Sequence, residues 1–511
     1  MKKQFQSMSR RRTACLLGLL ILGNAIAQAA TWYVSPSGND LSPGTNWGTA
    51  KQTLQAAITA SANSDTVLVT NGTYASGTVN VSGVSTLVDV SKSITIQSVN
   101  SPLTTIIQGG AEVMGVFIEV TNVTLAGFTI KGASLSGVAY AGGIYCSDPS
   151  DVVTNCIITG NTGVTGGGVH GGTLNKCILS NNIAADPNQL GGGFGGGIYQ
   201  SIVSNCVISS NFASLYGGGA YQATLNNSII SNNTCISGGG GAFNSTLSGC
   251  LLISNSVVNL DGGGASISTL NNCSLIGNKA RIGGGANGIG NVLNNCLIAS
   301  NTASLIGGGV FNCALNNCTV VYNNCPTGKG GGTSEGNITN SIVYFNTASV
   351  SNNLDSPAAI TYSCTVPLPA GTGNLSNAPL FVATNNFHQL AVSPCVNSGN
   401  NAYAAGITDL DGNPRIAVGT VDIGAYELPL IIATNHPKLT GCSRSSNGAF
   451  QFTFTNNEGA FFSVLTSTNS HLPWTNWTRL GSPIYLGSGS YQFTDLTATN
   501  KGPRYYRLRS P

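Results

Sequence analysis

GGGVFNCALNNCTVVYNN, residues 307–324, carries three glycines, two cysteines, several asparagines and no charge. Alone, it fits a glycine-rich phosphate loop, a cysteine metal site or one rung of a scaffold. Its neighbours decide between these. Glycine triplets begin at Gly166, Gly195, Gly217, Gly239, Gly262, Gly283, Gly307 and Gly330, in steps of 29, 22, 22, 23, 21, 24 and 23 residues. A degenerate copy, Ala141-Gly142-Gly143, precedes them, and each triplet is followed by a second block such as TLNNSIISNN or VLNNCLIASN. Self-similarity at a period of about 20 to 50 residues marks a repeat architecture.

Aligned on that second block, the copies form columns. One holds Cys156, Cys177, Cys206, Ser228, Cys250, Cys273, Cys296, Cys318 and Ser341. Two residues on, the column is aliphatic, from Ile158 to Val343. Five residues past the cysteine column every copy has asparagine: Asn161, Asn182, Asn211, Asn233, Asn255, Asn278, Asn301, Asn323 and Asn346. Short β-type runs with no helical spacing predict an all-β solenoid, each repeat one coil of strands and tight turns. Equivalent residues would stack at about 4.8 Å. The aliphatic columns would form the core. The asparagines suit a left-handed turn and can pair with the copy above. The triplets suit bends where no side chain fits. No Lys-Ser/Thr follows a triplet, which excludes a phosphate loop, and no recurring Asp supports a calcium β-roll.

Only 7% of the 511 residues are charged, against about 25% in ordinary domains, and the net charge is +3. No basic stripe points to nucleic acid. Lys2, Lys3 and Arg10–Arg12 precede an apolar run from Ala14 to Leu22 and a small-x-small site at Ala27-Gln28-Ala29, so residues 1–29 read as a secretory signal. No later run is long enough for a membrane helix. The exported chain would be a monomer at the outer cell surface or beyond. It divides into an N-terminal cap and irregular coils (31–140), regular coils (141–350), closing coils (351–427) and a small antiparallel β-sandwich (428–511). An amphipathic helix over 49–62 would plug the N-terminal end, with the first coil starting at Asp65. The insertion IAADPNQLGGGF explains the step of 29 and leaves one coil as a loop. The cysteines lack the close paired spacing of a zinc site and read as buried apolar fillers. Cys364 with Cys395, or Cys313 with Cys146 or Cys325, could pair.

YVSPSGND and DTVLVTNGTY at the start resemble the N-terminal segment of bacterial right-handed parallel β-helix proteins. The repeats resemble the GGA(I/L/V) and FxxN repeats of chlamydial polymorphic outer-membrane proteins, with an aliphatic in place of Phe. DLDGNPR at 409–415 with VDIGAYE at 421–427 looks like the ending of choice-of-anchor type Q domains. The resemblance implies a right-handed parallel β-helix of the pectate-lyase-like kind. Relatives of that shape include adhesins and polysaccharide-cleaving enzymes.

Cleavage of a polysaccharide on such a scaffold needs carboxylates in one or neighbouring columns beside a base. No two acids of the regular coils share a column on adjacent rungs. Asp261 and Arg281 fall one rung apart and read as a surface ion pair, and Asp186 as a turn residue. Asp409, Asp411 and Asp422, with Arg415 and Glu427, form the densest polar cluster. It reads as closing turn chemistry, with a weak calcium loop as the alternative; no other cofactor or metal is indicated. Two residues past the triplets stand Tyr145, His170, Tyr199, Tyr221 and Phe243, an outward aromatic ladder suited to sugar rings or a partner protein, or to stacking under a loop. The expectation is a structural, adhesive or glycan-binding surface protein without catalytic residues. The alternative is a lyase or glycoside hydrolase acting on an acidic polysaccharide along the helix face.

Overall fold

A computed structural model describes residues 29–137, 140–186, 192–429, 435–498 and 503–510. The expected export signal lies outside the described residues except for Ala29. Strands pair rung upon rung in the register of the sequence columns. Thr224–Asn226, Thr246–Ser248 and Thr269–Asn271 run parallel with Leu225, Leu247 and Leu270 opposite one another. Ile208, Ile230 and Leu252 repeat this in the next sheet. The coils build sheets of 25, 13 and 9 strands. Parallel strands joined within one sheet take the right-handed crossover, so the chain is a right-handed parallel β-helix. Its inward columns fuse into one core from Val34 to Ile360.

Each coil turns at residues held in the left-handed region. Asn155, Lys176, Asn205 and Asn227 form one such column, and Asn181, Ser210, Asn232 and Ser254 another, with φ between 47° and 57°. The expected left-handed role for Asn161 and its eight successors is therefore corrected: the turn falls on the residue before each of them. The ladder asparagines point inward and lie almost fully buried. Asn211 shows the pattern. Its Nδ2 donates to Leu179 O at 3.1 Å and to Asn233 Oδ1 at 2.9 Å, and its own N–H donates to that same oxygen. The ladder thus satisfies backbone groups that the turn leaves without partners. It runs one step further than the period shows, from Asn346 to Asn353.

The triplets are required by crowding. Gly217 sits at φ 67°. A Cβ on Gly218 would lie 2.5 Å from the carbonyl oxygens of Gly240 and Thr234, and one on Gly219 2.6 Å from that of Gly241. The cysteine column packs as buried thiols at the corner, and the structure holds no disulfide among the described cysteines. Burial pushes the Cys235 and Cys313 thiols up, to about 11 and about 12.

The N-terminal end differs from expectation in two ways. The first coil begins at Thr31–Val34, paired with Thr66–Val69. The helix is shorter, Leu54–Ala60, because Asp40 binds the N–H groups of Gln52 and Thr53 and holds that stretch outside it. Thr53 then caps the helix through Ala56 N, and Leu54, Ala57 and Ile58 are buried. At the other end the coils continue to Cys364–Thr365. The segment that follows first pairs with this last coil, Leu375 beside Cys364, and then returns along the flank. Phe381, Phe387 and Leu410 cover Leu297, Ala299 and Val321, and Ala425 N donates to Thr319 Oγ1 at 3.0 Å. Beyond it, a four-stranded and a three-stranded antiparallel sheet enclose Phe452, Phe454, Phe462 and Tyr491. The alternation of FQFTFT supplies that inner face.

Candidate functional site

The aromatic column forms a stack on one flank. Ile144, Val169, Ile198, Ala220 and Ala242 point inward and are fully buried, so the next residue of each strand points outward. Ring centroids lie 4.9 Å apart from Tyr145 to His170, 4.7 Å to Tyr199, 5.4 Å to Tyr221 and 5.5 Å to Phe243. The last two pairs are parallel within 4° and 3°. Phe117 extends the stack, 4.9 Å from Tyr145. It lies in an irregular coil, where the period gives no signal. A second column stands beside the first: Phe194 and Tyr216 are parallel within 2° and pack on Tyr221 and Phe243 at 4.8 and 4.4 Å.

This geometry fixes what the face offers. Ring faces cover one another, so edges and hydroxyls meet solvent. Among the described residues, no side-chain hydrogen bond engages the Tyr199, Tyr216 or Tyr221 hydroxyls. His170 is held by Thr165, Oγ1 to Nδ1 3.1 Å. Burial lowers its pKa to about 4, so it is a neutral ring in the stack at neutral pH.

The stack ends at a polar notch. The next rungs carry Ser266 and Asn287, both buried. The second column continues through Gly238 to Asp261. Burial raises the Asp261 carboxyl, while the Arg281 charge and the Asn287 amide oppose the shift. Asp261 Oδ1 is buried without a hydrogen-bond partner. The expected ion pair with Arg281 does not form at contact distance; the four close pairs among the described residues lie elsewhere. Asp186 binds Gly192 N at 2.9 Å, at the start of the insertion, whose residues 187–191 lie outside the described ones.

The closing cluster is brought together, but as a set of buried ties. Asp409 accepts from the N–H groups of Asp411, Asn413 and Glu427. Asp422 accepts from Asn397 N at 2.6 Å and Leu428 N at 2.7 Å. Arg415 and Glu427 pair at 2.9 Å with side chains 1% exposed. A calcium ion would compete with these donors for the same oxygens. Burial, then the Glu427 charge, pushes Asp422 up to about 7. Asp411 is the exposed member. Its Oδ2 lies 2.5 Å from His388 Nε2, whose Nδ1 meets Asn386 Oδ1. His388 carries no sequence signal, since it stands alone in a hairpin 23 residues away. Among the described residues, no group of three His, Cys, Asp or Glu side chains is placed to hold a metal ion, and no helix is long and apolar enough to cross a membrane.

No family model and no curated protein matches the chain. Among solved structures it is similar to pectate lyase Pel9A, with 15% identity over 79% of this chain and 97% of that one at a TM-score of 0.38. It is also similar to a PL6 alginate lyase in complex with a trisaccharide, with 13% identity, 66% and 87% coverage and a TM-score of 0.37. A rhamnogalacturonan lyase follows at 13% identity, 76% and 90% coverage and a TM-score of 0.23. Scores this low carry no argument about this chain's chemistry. The fold stands on the rung-to-rung register, a parallel β-helix read from the chain's own strands.

Proposed function

We propose that the chain is an exported scaffold, extracellular or held at the outer cell surface, that binds polysaccharide through its aromatic flank without chemistry of its own. One observation carries the reading: half-buried rings stacked over five consecutive rungs from Tyr145 to Phe243, with buried Phe117 beneath them. A rigid ladder loses little conformational entropy on binding, and tyrosine edges with unengaged hydroxyls suit a hydroxyl-rich partner. Asp409 and Asp422 of the closing cluster support the same reading, because their oxygens are engaged by backbone N–H groups. The combined Tyr199→Ala, Tyr221→Ala and Phe243→Ala variant should bind polysaccharide at least about tenfold more weakly in affinity electrophoresis, the scale of several lost aromatic contacts. Unchanged retardation would reject this face. Retained capture of surface protein without polysaccharide would make the ligand a protein.

A second reading is favoured by Asp261. A carboxyl raised by burial near an arginine, at the end of a long flank, would serve as a proton donor for a lyase or hydrolase working on an acidic polysaccharide. In that case Asp261→Asn abolishes turnover while Tyr221→Ala only weakens it.

A further inference from the structure

The buried asparagine ladder has an outward counterpart in the later coils. Asn271, Asn294 and Asn316 stand in register on successive strands. Asn316 Nδ2 donates to Asn294 Oδ1, and Asn294 Nδ2 to Asn271 Oδ1, both at 2.9 Å. One residue on, at the left-handed corner, Asn295 Nδ2 donates to Asn272 Oδ1 at 3.2 Å. The returning segment arches over this surface. Asn295 Nδ2 also donates to Ala405 O and Thr408 O, and Ala405 N donates to Asn317 Oδ1 at 3.0 Å. Between the amide columns and the arch lies a cleft of about 550 Å³.

Three features define what the cleft takes. All donors run one way, so the amide chains end at Asn271 and Asn272, whose Nδ2 groups make no hydrogen bond among the described residues. Asn316 Oδ1 is the unengaged acceptor at the other end. The apolar wall is Tyr403, 51% exposed, with Ile407, 89% exposed. The lining holds no charged side chain. A carboxylate ligand would lose hydration there without a cation to replace it. A ligand with many hydroxyls and apolar C–H faces is matched on both counts, by paired amide donors and acceptors and by a tyrosine ring. We propose that this cleft binds a short segment of an uncharged polysaccharide. The site is separate from the aromatic flank, which occupies earlier coils, and does not depend on it.

The test is titration calorimetry of the mature chain with short neutral oligosaccharides (gluco-, manno- and xylo-series) and with uronate oligosaccharides. The neutral set should contain a saturable ligand. Binding should weaken by about tenfold or more in Tyr403→Ala and in the Asn271→Ala/Asn272→Ala pair, the scale of one aromatic contact or two hydrogen bonds. It should survive in Tyr403→Phe and in the triple ladder variant. Tyr403 is exposed and Asn271 and Asn272 are half-buried; because Asn272 stands at φ 51°, thermal melting of the same preparations checks the fold, and Asn271→Ala alone serves where the pair melts early. No saturable neutral ligand, a preference for uronates, or affinity unchanged in the cleft variants would overturn the assignment. Binding lost only in the ladder variant would overturn the cleft and leave the aromatic-flank reading standing. Polysaccharide bound equally by the ladder variant would do the reverse.

Discussion

Asn233 shows what one residue does in this molecule. Its Oδ1 accepts from Asn211 N and Nδ2, and its Nδ2 donates to Ile208 O and Asn255 Oδ1. Alanine there leaves buried donors and acceptors unmade, each at a cost of about 1–3 kcal/mol. Asn233→Ala should therefore lower stability by about 3 kcal/mol or more in urea unfolding. Asn226→Ala, on the outward face of the same coil, should change it by less than about 0.5 kcal/mol. Equal effects would show that the ladder does not hold the corner. The column of asparagines is legible in the sequence because it recurs at fixed distance from the cysteines. Its role is not, because inward and left-handed asparagines alternate within a few residues: Asn232 turns the chain while Asn233 is buried. Composition does not separate the two. Asn353 escapes notice because it reaches the ladder only seven residues after Asn346, where the repeat has ended.

At the scale of elements, the flank segment 381–427 is the part least determined by periodicity. It is held by side-chain to backbone ties, Asn340 to Asn400 and Asn317 to Ala405 among them, and by a backbone bond from Gly424 N to Asn340 O. These contacts join residues far apart in sequence, so the sequence shows the cluster of acids without its place on the coils. Asp422 makes the segment pH-sensitive. In the native state it titrates at about 7, and in the unfolded chain near its ordinary value of 3.8. Between these values the native state binds the extra proton. Stability is thus largest at the acid end of that window, falls as pH rises through it, and levels off above about 7. Hydrogen exchange at Asn397 and Leu428, corrected for intrinsic rates, should show weaker protection at about pH 8 than at about pH 5. Stronger protection at the higher pH would contradict this. The helix Leu54–Ala60 teaches the same distinction. Its buried face is visible in the spacing of Leu54, Ala57 and Ile58, but its start is set by Asp40 from outside the helix.

At the scale of the whole molecule, the coils share one continuous core and three long sheets, which makes them stiff. Stiffness turns a sequence column into a surface feature, which is why the sequence alone puts Tyr145, His170, Tyr199, Tyr221 and Phe243 on one line. The second aromatic column could not. Phe194 falls in the coil whose spacing the insertion disturbs, and Tyr216 is matched below only by Gly238. The asparagine cleft was equally hidden, because half of it comes from residues about a hundred positions further on. These surfaces leave one division to measure, between binding and chemistry. The decisive measurement is depolymerisation: residues 31–511 incubated with plant, algal and animal polysaccharides, with and without calcium, while chain length and new reducing ends are followed. The scaffold account predicts retention of polysaccharide with no shortening and no new ends from a folded preparation. Turnover of any substrate, lost in Asp261→Asn, would contradict it and make the flank an active site.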